Sequence, residues 1–269
     1  MKKFGFITNK YTISVLILLC LFLADIVLHS GMSRVILPAS FSDKIKPVTL
    51  PLCSNVLLFK DKHWISSVDN ISILEKLPGN TPGIECNLAF NPLKKHLELY
   101  PDSVVDYSLN ADSLLAVYSN KKLQANIWFD IKGLTKDNLD PALAEMMRLK
   151  DKYQLNGKII IESPVAELLK TFCDSGFFTA YHVPDTNPYQ STEPEIIRFA
   201  DSIRNNLVKY PAAAVTCSYV QYPVLKKFFP NYPLLTRADN LSVSIVSYVF
   251  KRQLENDEHI RAILYPFKN

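Results

Sequence analysis

No two of the five cysteines are spaced as CxxC, so a thiolate metal centre is not indicated. Cys53, Cys86, Cys173 and Cys217 lie far apart and read as buried apolar packing, although an oxidising compartment would permit a disulfide that sequence alone cannot pair. An excess of charge is also lacking. Beyond the first 29 residues 27 basic residues face 25 acidic ones, which argues against a polyanion binder and against nucleic acid as a partner. The chain contains no internal repeat or low-complexity tract. No small-x-small cleavage site follows its one long apolar run, and Cys20 lacks the small neighbours of a lipidation box.

That apolar run is TISVLILLCLFLADIVL, 17 residues from Thr12 to Leu28, with Asp25 its only charge and Lys2, Lys3 and Lys10 before it. With its flanks it reaches the roughly 20 residues a bilayer requires. Lysine-first polarity expects residues 1–11 in the cytoplasm, residues 12–29 as an uncleaved signal anchor, and the remainder outside. A cleaved signal peptide is the competing reading. Residues 30–52, with prolines at 38, 47 and 51, read as a linker, and residues 53–269 as one folded domain.

Within that domain short β-rich runs alternate with helical patterns. The expected strands are 55–60, 83–87, 126–132, 158–163, 177–183, 212–219, 233–237 and 261–265. Helices such as DPALAEMMRLKDKY and EPEIIRFADSIRNNLVKY lie between them. Eight such alternations predict a (β/α)8 TIM barrel. HLELY (96–100) is a ninth run, too near Asn87 for a parallel crossover. It is expected to return antiparallel, as a hairpin inserted after the second strand, bringing Tyr100 and Asp102 towards Glu85.

Barrel chemistry gathers at the C-terminal strand ends. The polar groups expected there are His63 after the first strand, Glu85 and Asn87 on the second, Asp130 and Lys132 on the third, and Glu162 on the fourth. Alternation puts Glu85 with Asn87, and Asp130 with Lys132, on one face, with Cys86 and Ile131 turned towards the helices. Two carboxylates and a carboxamide oxygen suit a hard cation such as Mg²⁺ or Ca²⁺. A lysine can offset phosphate charge and a histidine can move a proton. Each group has a plainer explanation: Asp130 and Lys132 as a buried ion pair, His63 and His182 as structural histidines, Glu162 as a helix cap. Convergence of charge on consecutive strand ends is what raises the functional reading. Trp64, Phe90, Tyr181 and Tyr219 either line a cleft or belong to the core.

WFDIK (128–132), supported by HWISSVDN (63–70), GIECN and IIIESP, resembles the glycerophosphodiester phosphodiesterase-like superfamily, whose relatives include sphingomyelinase D-type phospholipases and menorin-like proteins. The resemblance runs from about residue 56 to the C-terminus. It implies one divalent cation held by Glu85, Asn87 and Asp130, acid/base work by His63, a phosphate contact from Lys132, and a substrate contact from Trp64 and Glu162. The chain departs from the pattern where Trp64 replaces an Arg, Asn87 a second carboxylate, and Tyr100 the hairpin His. His96, about 13 Å along an extended strand from Tyr100, cannot substitute directly. A phenol near pKa 10 can donate a proton at neutral pH but is a poor base.

Two functional readings therefore stand. One is a membrane-anchored extracytoplasmic phosphodiesterase acting on a lipid headgroup or glycerol-phosphate compound. The other is a catalytically silent barrel that binds a ligand or protein partner in the same cleft. A carbohydrate-active pair of Glu162 and Asp130 is a third and weaker reading. Oligomeric state is left open.

Overall fold

Inward-facing and outward-facing residues alternate along each strand, and their chemistry sets the architecture. In this computed structural model, residues 10–29, 34, 41, 43–100, 109–238 and 244–267 are described. The chain begins with α1 (Lys10–Leu28), whose Tyr11–Leu28 stretch has a mean hydropathy of 2.5 and is long and apolar enough to cross a membrane. The barrel strands are β1 (His63–Ser66), β2 (Gly83–Asn91), β4 (Asn126–Lys132), β5 (Ile159–Ser163), β6 (Phe178–His182), β7 (Ala214–Ser218), β8 (Leu234–Arg237) and β9 (Ile260–Pro266). All of these pair in parallel, and β1 closes the ring by pairing with both β9 and β2. β3 (His96–Leu99) stands outside the ring, antiparallel to β2, with Leu99 opposite Leu88.

Helices α2 (Ile71–Lys76), α3 (Ala111–Asn120), α4 (Leu139–Lys152), α5 (Ala166–Asp174), α6 (Glu193–Lys209), α7 (Tyr222–Phe228) and α8 (Ile245–Asn256) coat the outside. Their starts are written in the sequence. Asn110 Oδ1 accepts from Ser113 N at 2.8 Å, Thr192 and Glu195 form a reciprocal capping box, and Ser244 Oγ accepts from Ser247 N at 2.9 Å. Outward residues such as Ile127, Phe129, Ile131 and Cys86 pack with Leu114, Met146, Leu168 and Phe250 in one large core between sheet and helices. Burial on both faces is why the parallel strands read as continuous apolar runs.

A second core fills the barrel interior from Trp64, Trp128, Ile160, Phe178, Leu235 and Leu264. Gly83 is required here, because a Cβ would lie 2.1 Å from the Trp64 ring. Residues 55–60, expected as the first strand, are instead a plug without strand structure across the N-terminal mouth. Leu57 is buried, Phe59 stacks on Trp64 at 5.7 Å, and Asn126 Nδ2 donates to Leu58 O at 2.8 Å. A disulfide from Cys53 to Cys173 fastens this plug, and Asn55 Nδ2 donates to Phe177 O at 2.9 Å. Cys86 and Cys217 are buried free thiols. The end of the expected linker is pinned to the domain, with Val48 N donating to Phe228 O at 2.9 Å and Tyr232 OH to Pro51 O at 2.6 Å.

Candidate active site

The first barrel strand starts eight residues later than expected, at His63 rather than Asn55, and this moves two candidate residues. His63 begins β1 at the N-terminal rim, pairs with Asp61 (2.9 Å) and Glu255, and stacks on Tyr265 at 5.3 Å. Trp64, fully buried, points into the bottom of the barrel and donates from Nε1 to Asp61 O at 3.0 Å. Neither reaches the C-terminal rim. The acid/base role expected of His63 and the substrate contact expected of Trp64 are therefore corrected: a parallel strand separates its two ends by its whole length, and these residues occupy the wrong one.

At the C-terminal rim, Glu85, Asp130 and Glu162 come together, each with no more than 4% exposure. What joins them is Arg237, the last residue of β8. Its guanidinium contacts Glu85 Oε1 at 3.0 Å, Asp130 Oδ2 at 3.5 Å and Glu162 Oε2 at 3.7 Å, and lies 5.7 Å from the Trp128 ring centroid. Lys132 Nζ donates to Asp130 Oδ2 at 2.6 Å. His182 Nδ1 lies 2.6 Å from Glu162 Oε1 and 3.2 Å from Thr216 Oγ1, leaving Nε2 without a hydrogen-bond partner among the described residues. Glu162 also accepts from Trp128 Nε1, so it is a buried support and does not cap α5, whose cap position is Val165.

The flanking polar groups are fixed as firmly. Glu85 Oε2 accepts from Ser67 N at 2.7 Å. Asp69 accepts from Asn87 N at 2.7 Å and from Asn87 Nδ2 at 3.0 Å. Tyr100 N donates to Asn87 O at 2.9 Å, which sets Tyr100 level with Asn87 at the rim, where it is 39% exposed. Asp102 lies outside the described residues. Of the aromatic candidates, Phe90, Tyr181 and Tyr219 pack against the outer core and none lines the mouth.

These contacts set the ionisation of the mouth. Burial pushes Glu85 up to about 7, against the pull of Arg237. Burial and the Glu162 charge raise Asp130, with Lys132 opposing. Burial also disfavours the Glu162 carboxylate, but the His182 hydrogen bond, the Arg237 charge and Trp128 outweigh it and hold the group below its usual range. For His182, burial is overcome by the Glu162 hydrogen bond and charge, so its pKa rises and the imidazolium is favoured. Three carboxylates thus face Arg237, Lys132 and a protonated His182. Protonation of Glu85 on the acid side of about pH 7 removes one negative charge from the mouth.

The expected cation does not fit this arrangement. Among the described residues no three His, Cys, Asp or Glu side chains are grouped to hold a metal, and Arg237 fills the space between Glu85 and Asp130. What remains open is a cleft of about 250 Å³ lined by Asp130, Lys132, Glu162, Ser163, Val165 and His182. A larger groove of about 790 Å³ runs along the outer wall past His63, Tyr265 and Pro78, away from these converging charges.

Solved structures share this architecture. A glycerophosphodiester phosphodiesterase from Parabacteroides distasonis superposes with a TM-score of 0.53 at 11% identity, covering 76% of this chain and 93% of its own. A Silicibacter pomeroyi protein assigned as a glycerophosphoryl diester phosphodiesterase gives 0.51 at 8% identity, covering 79% and 91%. The chain has the barrel fold of these phosphodiesterases. No family profile and no curated protein matches its sequence.

Arg237 was missed in the sequence although its signal was present: PLLTR ends a strand in a basic residue, as WFDIK does. His182 was seen only as a candidate structural histidine.

Proposed function

We propose that this protein is a membrane-anchored, extracytoplasmic phosphodiesterase that acts on a small phosphodiester of the glycerol-phosphate or lipid-headgroup class, with His182 as its acid/base group. The observation that carries the reading is the His182 and Glu162 pair beside Lys132 in an open cleft at the C-terminal rim. Glu162 fixes Nδ1 of His182, which lines the cleft; as water attacks phosphorus and the P–O bond to the alcohol breaks, the imidazolium can give its proton to the leaving alkoxide, and the water's proton passes to solvent. Lys132, with 42% of its side chain exposed, can turn from Asp130 to a phosphate oxygen, and Arg237 holds a fixed positive charge behind it. A cleft of about 250 Å³ suits a headgroup better than acyl chains, since drug-sized ligands need about 300–1,000 Å³. The Cys53 to Cys173 disulfide supports an oxidising compartment, and Lys2 and Lys3 before α1 with Lys10 at its start support a cytoplasmic N-terminus. A divalent ion at Glu85 and Asp130 would have to displace Arg237.

A catalytically silent barrel is the second reading, favoured by the engagement of Arg237 with three carboxylates and by Tyr100 at the rim. The two separate in one experiment on the purified full chain: ³¹P-detected binding and hydrolysis of soluble glycerophosphodiesters by wild type and Lys132→Ala. The enzyme reading expects turnover and weaker binding in the variant. Binding without turnover in the wild type favours the silent barrel, and no binding at all contradicts the phosphodiesterase reading and leaves only a silent barrel with a different ligand or a protein partner.

A further inference from the structure

The last turn of α1 is docked on the first turn of α8. Tyr11–Ala24 are exposed along their length, whereas Asp25, Ile26 and His29 are half-buried. Ile26 packs against the outer core, and Asp25 Oδ2 accepts from Val246 N at 3.1 Å. At about 1.5 Å per residue the 19 residues of α1 extend roughly 28 Å, no more than the roughly 30 Å hydrocarbon core of a bilayer. Among the described residues no further length of α1 lifts the domain clear, which sets whatever touches Asp25 at the headgroup layer.

In this barrel each helix starts at the C-terminal rim, because it follows the C-terminal end of a strand. The first turns of α8 present an exposed stripe of Ile245 (60%), Tyr248 (60%) and Val249 (42%). Arg252, one turn further along the same stripe, places its guanidinium 5.6 Å from the Tyr248 ring centroid. Two aliphatics, a Tyr and an Arg at helical spacing match the composition that holds a helix in a membrane interface. The turn between β2 and β3 rises beyond the end of β4 on the same rim and carries Leu93, 93% exposed, beside exposed Lys94 and Lys95. Val165 is exposed there as well.

We propose that the C-terminal rim faces the bilayer that α1 enters, with the α8 stripe and the Leu93 to Lys95 tip resting in the headgroup layer. This rests on the reading of α1 as a membrane span. The charged mouth of Arg237, Lys132 and His182 then opens towards the lipid surface, and a phosphodiester is met at headgroup depth without being extracted. The plugged rim, with its disulfide, faces solution. Exposed apolar residues occur there too, at Leu52, Val56 and Leu58, but no membrane-length helix docks beside them among the described residues.

The test uses the full chain in vesicles of phosphatidylcholine and phosphatidylserine, on a Cys20→Ser background. Single variants Leu93→Cys, Tyr248→Cys and Val56→Cys carry an environment-sensitive fluorophore, read with spin-labelled lipids as quenchers and iodide as the aqueous quencher. Several-fold stronger lipid quenching at Leu93→Cys and Tyr248→Cys than at Val56→Cys is expected. Equal or reversed quenching in protein that floats with the vesicles overturns the orientation and leaves the anchor intact. Protection of Tyr248→Cys from both quenchers shows a second copy on the stripe and also overturns it. Failure to float with the vesicles removes the anchor and the orientation together.

Discussion

The two rims of the barrel solve opposite problems with the same strands. At the N-terminal rim the inward residues are Trp64, Trp128, Ile160 and Phe178, sealed by Phe59 and locked by the Cys53 to Cys173 disulfide. At the C-terminal rim, two residues further along β4 and β5 and four further along β6, they become Asp130, Glu162 and His182. Dry packing at one end stabilises the domain. Compensated charge at the other stores the desolvation cost of three carboxylates, which fold only because Arg237, Lys132 and His182 meet them. Apolar packing and compensated charge are therefore separated along the barrel axis, and substitutions at the two rims should fail in different ways.

The largest effect is expected from Arg237→Met, which leaves Glu85, Asp130 and Glu162 without their shared cation. A loss of about 3–5 kcal/mol is expected near neutral pH, shrinking as pH falls and the carboxylates protonate, read by urea denaturation across pH. The counterpart at the other rim is Cys53→Ser with Cys173→Ser. Opening a loop that spans 120 residues should cost about 4 kcal/mol. That loss should vary little with pH and leave ligand binding by folded protein unchanged.

A smaller and more specific effect comes from Glu85. Its folded pKa of about 7 against an ordinary 4.5 means that the folded state binds more protons through this window. Stability therefore falls as pH rises from about 4.5 to 7, by about 3 kcal/mol if Glu85 acts alone. Glu85→Gln should flatten that slope and gain relative to wild type above pH 7. An unchanged slope would assign the titration to another group.

Much of this architecture was legible in advance. Strand 126–132 is observed with those bounds, and the patterns in 140–153 and 193–210 match α4 and α6 within a residue. β-branched runs bounded by caps carry that information locally. The convergence of Glu85, Asp130, Lys132 and Glu162 was also legible, because alternation fixes which face each residue takes. The first strand was not. NVLLFK has strand composition, but in the barrel it plugs the mouth, with Leu57 buried and Val56 and Leu58 exposed, while the less apolar HWIS pairs with β9. Local propensity cannot see closure of a ring, which depends on partners about 200 residues away. That one shift carried His63 from the C-terminal rim to the N-terminal one. Arg237 was hidden for a related reason, since its meaning comes from three carboxylates on other strands.

The central claim is that chemistry belongs to His182 at the C-terminal rim and not to His63. The most direct test compares phosphodiester turnover by wild type, His182→Ala and His63→Ala in one assay, with folding checked by thermal denaturation. Removal of a general acid/base predicts a fall of about 10²- to 10⁴-fold for His182→Ala. His63→Ala, at an exposed ion pair, should retain near wild-type turnover and lose no more than about 1 kcal/mol of stability. The reverse pattern, with His63→Ala inactive and His182→Ala active, would contradict the account.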